Sequence, residues 1–370
     1  MLLKNCYYFD KDFVRRHGDI AFENGIITAL GHLSGDGRDM QGATVLPGFV
    51  DIHIHGCGGA DFSDGTTDAF DTMSKELATH GVTSFCGTTM TLPEEKLTEI
   101  LRAANSYTAP KAKLVGINLE GPYISKRRCG AQNKEFIRPA DYEEFRRLCA
   151  VNKNIKLITV APDAYKNRQF IFMVSGEVTV ALGHTCADEN ITRSAFYNGA
   201  KHITHLFNAM PPLHHRHPGL IGEALANEEI TCELICDGRH VHPSVLKATF
   251  AALGDDRAVV ISDAMRAAGC GWGKFELGGQ IVYARGDAAY LEEDGRTLAA
   301  SVTNLFDEFL LLLENRIPIE QALRACTINP ARVIGEEKHI GSIEVGKCAD
   351  LIVTDHHWDI KEVYINGILA

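Results

Sequence analysis

Short apolar runs recur along the middle of the chain, and stretches with helical periodicity separate most of them. Eight runs are predicted as strands, at 49–54, 82–87, 114–119, 156–161, 178–182, 202–206, 232–236 and 258–262. The stretches predicted as helices include 67–80, 93–107, 139–152, 188–198 and 243–253, with 302–315 and 319–331 after the last strand. Eight strands joined by helical crossovers predict an α/β fold, a closed (β/α)8 TIM barrel.

A doubly wound open sheet is the alternative α/β fold. In such sheets ligands bind at a single switch point in the strand order. Polar residues follow nearly all the predicted strands here, which favours the barrel. The segment 269–298 is rich in glycine and in alternating apolar residues, and it is predicted to be a hairpin inserted after the eighth strand.

Both chain ends carry short strand-like runs separated by turns, without helical periodicity. Asn24-Gly25 lies between two such runs near the N-terminus, and Asn366-Gly367 repeats this arrangement near the C-terminus. Asn-Gly between apolar alternations is a strong hairpin signal. We predict that residues 1–47 and 339–370 pair into one small β-sandwich domain beside a barrel of residues 48–338.

The composition is that of a globular, acidic chain. Its 370 residues are 45% hydrophobic and carry a net charge of −11, so we expect neither nucleic acid nor a membrane surface as a partner. No apolar stretch reaches 18 residues and the N-terminus has no sustained apolar segment, so we expect no membrane span and no signal peptide. The 11 cysteines are scattered singly, which is typical of reduced thiols and predicts a cytoplasmic protein.

Five histidines and two carboxylates lie at or just after the ends of the apolar runs. They are His53, His55, Glu120, His184, His205, His240 and Asp263. Every strand of a parallel barrel opens its C-terminal end onto the same face, so residues that are far apart in sequence can converge there on one metal ion.

His53 and His55 end the first predicted strand. Residues two apart on a strand point to the same side, so both imidazoles can face one metal ion. Such a pair also arises by chance on polar strand ends. Here it opens the βα series and precedes Gly56, which favours the metal interpretation.

Glu120 follows the third predicted strand, His184 follows the fifth, and His205 lies at the end of the sixth. Each alone would be an ordinary loop carboxylate or core histidine. Together they make a coherent site for a divalent cation such as Zn, Fe or Mn. Three protein ligands also leave a coordination position for water, as catalytic sites require.

Asp263 follows the very apolar eighth strand. An acid in this position costs free energy unless it has a partner or a task. Beside an activated water it can accept a proton and later return it, so we predict a general base that then acts as an acid. A helix cap or a loop anchor is the structural alternative.

His240 follows the seventh predicted strand, and Arg216 follows the sixth. Together they are predicted to form a cationic patch on an acidic protein. Such a patch beside the barrel mouth predicts binding of an anionic group such as phosphate. An exposed basic loop is the alternative, and His214, His215 and His217 are predicted to be loop surface.

Longer strings surround these residues. They include Leu46-Pro-Gly-Phe-Val-Asp-Ile-His-Ile-His-Gly, Leu119-Glu-Gly-Pro-Tyr, Thr204-His-Leu-Phe-Asn-Ala-Met, Asp237-Gly-x-His-Val, Ser262-Asp-Ala-Met and a C-terminal Gly-Ser-Ile-x-x-Gly-Lys-x-Ala-Asp-Leu. Over essentially its whole length the chain thereby resembles the amidohydrolase superfamily and, within it, the N-acetylglucosamine-6-phosphate deacetylase family.

The resemblance implies metal-dependent deacetylation of N-acetylglucosamine 6-phosphate to glucosamine 6-phosphate and acetate. It implies Glu120, His184 and His205 as the principal metal ligands and Asp263 as the catalytic acid/base. Because some relatives lack the HxH pair and hold one metal, His53 and His55 imply one or two divalent cations per subunit. The implied substrate contacts are Ala131, Asn208, Ala209, Arg216, His240, Leu298, Ala299 and Ala300.

In related enzymes the arginine that Arg216 matches reaches the neighbouring subunit's site, so a homodimer is implied. Two positions depart from the family pattern. Gln132 stands where many relatives carry histidine, and Ala300 replaces the usual glycine. Both departures bear on the identity of the substrate more than on the type of reaction.

The nearest alternative functions are deacetylation of N-acetylgalactosamine 6-phosphate and hydrolysis of another amide or ring by a superfamily member, such as a dihydroorotase-like enzyme. Cyclic-imide hydrolases of the superfamily often carry a carboxylated lysine on the fourth strand. No lysine lies at the C-terminal end of 156–161, which favours the deacetylase. A catalytically silent barrel would be expected to have lost ligands, and none is missing.

Overall fold

The structure, a computed structural model, describes all residues from 1 to 370. Its strands are β1 Leu2–Phe9, β2 Arg15–Glu23, β3 Ile26–Gly31, β4 Arg38–Asp39, β5 Thr44–Pro47, β6 Phe49–Ile54, β7 Gly56–Cys57, β8 Ala60–Asp61, β9 Val82–Thr89, β10 Lys113–Glu120, β11 Ile155–Val160, β12 Thr179–Leu182, β13 His202–Ile203, β14 Thr231–Leu234, β15 Ala258–Val260, β16 Gly273–Leu277, β17 Gln280–Arg285, β18 Ala288–Leu291, β19 Leu351–Thr354, β20 Ile360–Ile365 and β21 Ile368–Leu369.

The α-helices are α1 Thr67–Thr79, α2 Glu94–Asn105, α3 Tyr142–Val151, α4 Tyr165–Val174, α5 Glu189–Tyr197, α6 Gly219–Ala226, α7 Pro243–Arg257, α8 Leu305–Glu314, α9 Ile319–Cys326 and α10 Ile328–Val333. Phe62–Asp64 and Lys126–Arg128 form short 3-10 turns. Helix α1 shows why these elements form. The Thr66 hydroxyl caps its first turn by accepting the Ala69 N–H, and Phe70, Met73 and Leu77 recur at helical spacing on its buried face.

Eight parallel strands form the barrel wall, in the order β6, β9, β10, β11, β12, β13, β14 and β15. The seam between β6 and β15 is joined just beyond the strand ends. There the Asp263 amide donates to the His53 carbonyl and the His55 amide to the Ala264 carbonyl, each at 2.9 Å. The predicted (β/α)8 barrel is confirmed, and the C-terminal ends of its strands share one face.

Two layers of apolar side chains fill and cover the barrel. Val50 and Ile52 precede His53 on β6 and belong to an inner cluster with Leu157, Val259 and others. A larger cluster lies between the strands and the surrounding helices. The inner cluster fills the barrel below His53, so the space for polar chemistry is left at the C-terminal ends of the strands.

Three elements differ from the sequence prediction. The strand expected at 202–206 ends at Ile203, because the chain turns at His205, whose φ of 29° lies in the left-handed region. The helix expected at 319–331 is two helices, which meet at the non-helical Thr327. The segment 269–298 holds the three antiparallel strands β16, β17 and β18 rather than a hairpin.

Strands from both chain ends build the small additional domain, as predicted. They form one continuous sheet in the order β21, β20, β19, β5, β1, β2 and β3, with β4 beside β1. Ile352 of β19 lies opposite Leu46 of β5, and Ile26 bridges to Cys348, so the sheet curls around its own core. The exact boundaries at 1–47, 48–338 and 339–370 stay a prediction.

No helix in the structure combines the length and the apolar character that crossing a membrane requires. All 11 cysteines are free thiols, and most of them are buried. A buried free thiol behaves as a small hydrophobic side chain, so these cysteines serve the core.

Candidate metal centre

Five buried side chains converge at the C-terminal ends of the barrel strands. Glu120 Oε1 lies 2.9 Å from His184 Nε2 and 2.9 Å from His205 Nε2, and those two nitrogens are 3.1 Å apart. Glu120 Oε2 lies 3.2 Å from His55 Nε2, and Oε1 lies 3.6 Å from His53 Nε2. Glu120 is therefore shared by two ligand triads, and within each triad the donor atoms lie within 4.8 Å of one another.

In three of the histidines, a hydrogen bond at Nδ1 orients the ring so that Nε2 faces Glu120. His184 Nδ1 lies 2.8 Å from the Arg128 carbonyl and His55 Nδ1 lies 3.3 Å from the Thr88 carbonyl. His53 Nδ1 lies 2.9 Å from the Glu233 carboxylate. Since these partners accept a proton from Nδ1, each Nε2 keeps its lone pair for the centre, which is the tautomer that metal-ligating histidines adopt.

The donor set fits a divalent cation better than it fits a hydrogen-bonded cluster. His53 Nε2 is buried and has no hydrogen-bond partner. His184 Nε2 and His205 Nε2 face each other at 3.1 Å while both approach the same carboxylate oxygen. A shared cation satisfies all these lone pairs at once, and one carboxylate with imidazoles is a donor set that Zn, Fe and Mn accept.

The backbone is strained at three of the converging residues. His184, His205 and Asp263 have φ values of 47°, 29° and 45°, in the left-handed region that non-glycine residues rarely adopt. Such conformations cost free energy and cluster at active sites. The turn that each one makes directly after a strand brings its side chain over the barrel mouth.

The Asp263 carboxylate lies beside the Nε2 atoms of His53 and His55. Its Oδ1 is 3.3 Å from His55 Nε2 and 3.5 Å from His53 Nε2. Its backbone is fixed on both sides, because its N–H donates to the His53 carbonyl at 2.9 Å and its carbonyl accepts the Ser301 N–H at 2.7 Å. The carboxylate is thus held at a defined place beside the donor set.

Both carboxylates are anionic near neutral pH. Burial alone would raise the pKa of Glu120, but the imidazoles of His184 and His53 hold that pKa well below its usual range. Burial also acts to raise the pKa of Asp263, and His53 and His55 outweigh it and lower the pKa. An ionised carboxylate only accepts hydrogen bonds, so each can serve as a metal ligand or a proton acceptor.

The arrangement matches a known family. The sequence profile of the amidohydrolase family matches residues 44–369, which is most of the chain. The chain belongs to the amidohydrolase family. A divalent cation at the His and Glu donor set agrees with this membership.

Relatives of this amidohydrolase are similar over nearly their full lengths. An N-acetylglucosamine-6-phosphate deacetylase of Bacillus subtilis (strain 168) is 36% identical over 100% of this chain and 97% of its own. An N-acetylgalactosamine-6-phosphate deacetylase of Escherichia coli O157:H7 is 31% identical over 94% of this chain and 93% of its own. A solved mutant N-acetyl-D-glucosamine-6-phosphate deacetylase of Mycobacterium smegmatis, in complex with N-acetyl-D-glucosamine-6-phosphate, has a TM-score of 0.93, 30% sequence identity and coverage of 100% and 98%.

A cavity of about 590 Å³ opens over the donor set of this amidohydrolase. A volume of this size suits a small polar ligand. Of the predicted site residues, the cavity is lined by His55, Glu120, Ala131, His184, His205, Asn208, Ala209, His240, Asp263, Leu298 and Ala300. The structure therefore brings most of the predicted residues to one place.

Two predicted substrate contacts lie away from this cavity. Ala299 is fully buried in the apolar core of the inserted strands. Arg216 is exposed on the loop after β13, where its Nη1 lies 2.6 Å from His215 Nε2. His214, His215 and His217 are exposed on the same loop, as predicted. Of the two residues predicted to bind an anion, only His240 borders the cavity of its own chain, and its Nδ1 lies 2.7 Å from Asp237 Oδ2.

Glu233 is a site residue that the sequence analysis missed. Its carboxylate lies on β14, approaches His53 Nδ1 at 2.9 Å and His202 Nε2 at 3.1 Å, and accepts the His205 N–H at 3.1 Å. It therefore holds parts of both ligand triads. The signal was a charge inside a short apolar strand, Thr231-Cys-Glu-Leu, where an unpaired carboxylate would be costly.

Gln132 contacts the metal centre directly. Its Nε2 donates to Glu120 Oε2, and its Oε1 accepts the Thr91 N–H at 2.6 Å. Gln132 therefore takes one lone pair of the shared carboxylate and fixes that carboxylate to the loop after β9. The sequence marked this position only as a departure from the family, because a side-chain amide carries no metal signal of its own.

Proposed function

We propose that this amidohydrolase is a metal-dependent deacetylase that converts N-acetylglucosamine 6-phosphate to glucosamine 6-phosphate and acetate. Relatives of that activity match it over nearly their full lengths. The observation that carries the proposal is the convergence of Glu120, four histidines and Asp263 on one donor set, over which a cavity opens. Amide hydrolysis needs an activated water, a polarised carbonyl and a proton carrier at one place, and this donor set can supply all three.

The cofactor in this proposal is one or two divalent cations. Glu120, His184 and His205 would hold one ion, and His53 and His55 would share Glu120 with a second. Zn, Fe and Mn all accept such ligands, and the choice among them is set by availability as much as by the site. When bound, the ion lowers the pKa of water toward ~7 and polarises the acetyl carbonyl.

Asp263 moves the proton. As water attacks the amide carbon, the Asp263 carboxylate accepts its proton, since the low pKa keeps Asp263 ionised and ready to accept. When the C–N bond breaks, Asp263 returns that proton to the amine nitrogen. The remaining proton of the acid product passes to the amine, so acetate and glucosamine 6-phosphate with a protonated amine are released, and Asp263 is again ionised.

The sugar would be bound by the lining residues that the family resemblance implies. Asn208, Ala209, His240, Ala131, Leu298 and Ala300 all border the cavity. Because Asp237 occupies His240 Nδ1, the other ring nitrogen is left for the substrate. We also propose a homodimer in which the exposed Arg216 reaches the neighbouring cavity, and a cytoplasmic location stays a prediction.

Acetate release from matched sugars tests the proposed function. The purified protein is supplied with N-acetylglucosamine 6-phosphate, N-acetylgalactosamine 6-phosphate and an N-acetyl amino acid, and acetate is quantified. We expect the highest kcat/KM with the glucosamine epimer. The Escherichia coli relative makes the galactosamine epimer the second candidate, and a preference for it would assign that activity. Release from the amino acid alone would refute a sugar-phosphate deacetylase.

A further inference from the structure

Four cationic side chains border the cavity, and neither the family resemblance nor the proposed mechanism uses them. They are Lys126, Arg127, Arg128 and Lys134, all on the loop that follows β10. We call this group the cationic rim. The protein carries a net charge of −11, so four cations at the mouth of one cavity are a local reversal of its charge.

The cationic rim is fixed to the metal centre. The Arg128 carbonyl lies 2.8 Å from His184 Nδ1, and the Ser125 N–H donates to the His184 carbonyl at 2.9 Å. On the far side of the loop, Gln132 contacts Glu120. Because contacts at Ser125, Arg128 and Gln132 tie the loop to His184 and Glu120, its backbone is anchored beside the metal centre.

No side chain of the protein neutralises the cationic rim. Lys126, Arg127, Arg128 and Lys134 take part in none of the salt bridges, and their side-chain nitrogens donate no hydrogen bond to the chain. Their charges are therefore available to a ligand. Lys126, Arg127 and Lys134 are exposed, so water rather than protein surrounds them.

Besides Glu120 and Asp263 of the metal centre, two acids border the cavity, both on the loop after β18. Asp294 is engaged by its own turn, where its Oδ1 accepts the N–H groups of Arg296 and Thr297 at 2.9 and 2.8 Å. Glu293 is exposed. Four cations against two acids leave the cavity mouth positive, and one of those acids is already occupied.

We propose that the cationic rim binds the phosphate of the substrate from the chain's own side of the cavity. The inference rests on the proposed function and adds an anion-binding subsite in the same subunit. Arg216, the cation that the family resemblance assigns to the phosphate, lies outside this subunit's cavity, so the rim is the strongest positive charge that a bound sugar phosphate meets within one chain. Lysine and arginine suit phosphate, and Arg can donate two hydrogen bonds at once.

The test compares two variants with the same change in charge. One is Lys126→Met with Arg127→Met and Lys134→Met. The control is Lys153→Met with Lys166→Met and Lys247→Met, which removes three exposed lysines that lie outside the cavity and form no salt bridge. Acetate release is measured with N-acetylglucosamine 6-phosphate and with unphosphorylated N-acetylglucosamine, at low and at high ionic strength, and inorganic phosphate serves as a competing ligand.

We expect the rim variant to raise KM for the phosphorylated sugar about tenfold or more, since charged hydrogen bonds to phosphate are lost. Its kcat should change little, because this binding acts alike on the ground and transition states. The KM of the rim variant for the unphosphorylated sugar should stay near the wild-type value. The control variant should keep near-wild-type KM values for both sugars. Inhibition by inorganic phosphate should weaken in the rim variant but not in the control variant. The dependence of kcat/KM on ionic strength should also be smaller in the rim variant than in wild type.

Equal losses on both sugars, or a control variant that loses as much as the rim variant, would overturn the proposal. So would an unchanged KM in the rim variant together with a large rise in Arg216→Met, since Arg216 alone would then meet the phosphate. If the triple variant does not fold, Arg127→Met is measured in the same way. Failure of the proposed function is distinct, because the wild type would then release acetate from neither sugar.

Discussion

Asp263 carries the proposed proton transfer, and a single substitution can test that role. Its carboxylate borders the cavity 3.3 Å from His55 Nε2 and is ionised near neutral pH. Asp263→Asn keeps the size and removes the proton acceptor, so kcat should fall on the order of 10²–10⁴-fold. The measurement is acetate release per bound metal ion.

Metal content is the control for this change. Asp263→Asn should retain the divalent ion, because Glu120, His184 and His205 are untouched. Near-normal turnover at full metal content would remove Asp263 from the mechanism. Loss of the ion would instead show that Asp263 acts mainly as a ligand.

Glu233 makes a second prediction at the residue scale. It is 1% exposed and contacts His53, His202 and the His205 N–H, so Glu233→Gln leaves the shape but removes the charge that orients His53. Changes to such supporting carboxylates typically weaken metal affinity 10–100-fold, and we expect a loss of about that size. Competition against a chelator measures it. Glu229→Gln, an exposed carboxylate nearby, is the control, and equal affinities in the two variants would contradict the role.

Single residues show where the sequence is informative and where it is not. His53, Glu120, His184 and Asp263 could be predicted because each stands at the end of an apolar run, and strand ends meet in a barrel. Glu233 was only partly predictable, because a charge inside Thr231-Cys-Glu-Leu indicates a buried partner but not which one. Strands β6 and β14 are not neighbours in the sheet, so His53 and Glu233 meet only because the sheet closes into a barrel, and no local pattern identifies the pair.

At the scale of elements, helix α8 carries a buried acid against the end of β14. Glu308 Oε2 accepts the Cys236 N–H at 2.8 Å, while its Oε1 is buried without a partner. Burial and the charge of Asp237 raise the pKa of Glu308 well above its usual range. Glu308 therefore keeps its proton to a higher pH in the folded protein than a solvated glutamate does.

This raised pKa gives stability a dependence on pH. The unfolded chain releases the Glu308 proton near its usual pKa of about 4.3, and the folded protein keeps it. The contribution is therefore fully present below that pH and is lost as pH rises toward the folded pKa. Glu308→Gln removes the effect, so its Tm relative to wild type should rise as pH increases above the unfolded pKa of about 4.3. A Tm difference independent of pH would show that Glu308 is ionised when folded.

The elements themselves were largely predictable. The spacing of apolar residues in α1, with Thr66 before it, indicates both its face and its start. Strand β13 was too long in the prediction because Thr204-His205-Leu206 continues an apolar pattern, while the backbone leaves the strand at His205 to reach the centre. The third strand of the insertion, β18, was missed. Glycines and alternating apolar residues indicate that strands are present, but they do not indicate how many strands pair with one another.

At the scale of the whole molecule, Asp350 ties the small domain to the barrel. Its Oδ2 lies 2.5 Å from Lys113 Nζ on β10, its Oδ1 accepts the Asn366 N–H at 2.8 Å, and it is 5% exposed. Asp350→Ala removes the carboxylate that accepts from the Lys113 ammonium and the Asn366 N–H, and should destabilise the protein by about 1–3 kcal/mol. The readout is Tm, with kcat unchanged at temperatures below the transition.

Lys361→Ala is the matched control for this change. It removes the exposed salt bridge to Asp355 at 2.8 Å, and such exposed pairs contribute little to stability because water and salt screen them. Its Tm should stay near wild type. A Tm loss in Lys361→Ala as large as that in Asp350→Ala would show that burial of the Asp350 contacts is not what stabilises the joint between domain and barrel.

The convergence of residues from β6 to the turn after β15 on one divalent-cation centre, with one or two ions, is the claim on which the proposed chemistry depends. Bound metal and acetate release, measured on the same preparations before and after chelation and again after titration with Zn, Fe or Mn, test it most directly. We predict that release from N-acetylglucosamine 6-phosphate falls to background without the ion and returns in proportion to the ion rebound. Full turnover by protein that holds no divalent ion would contradict the account.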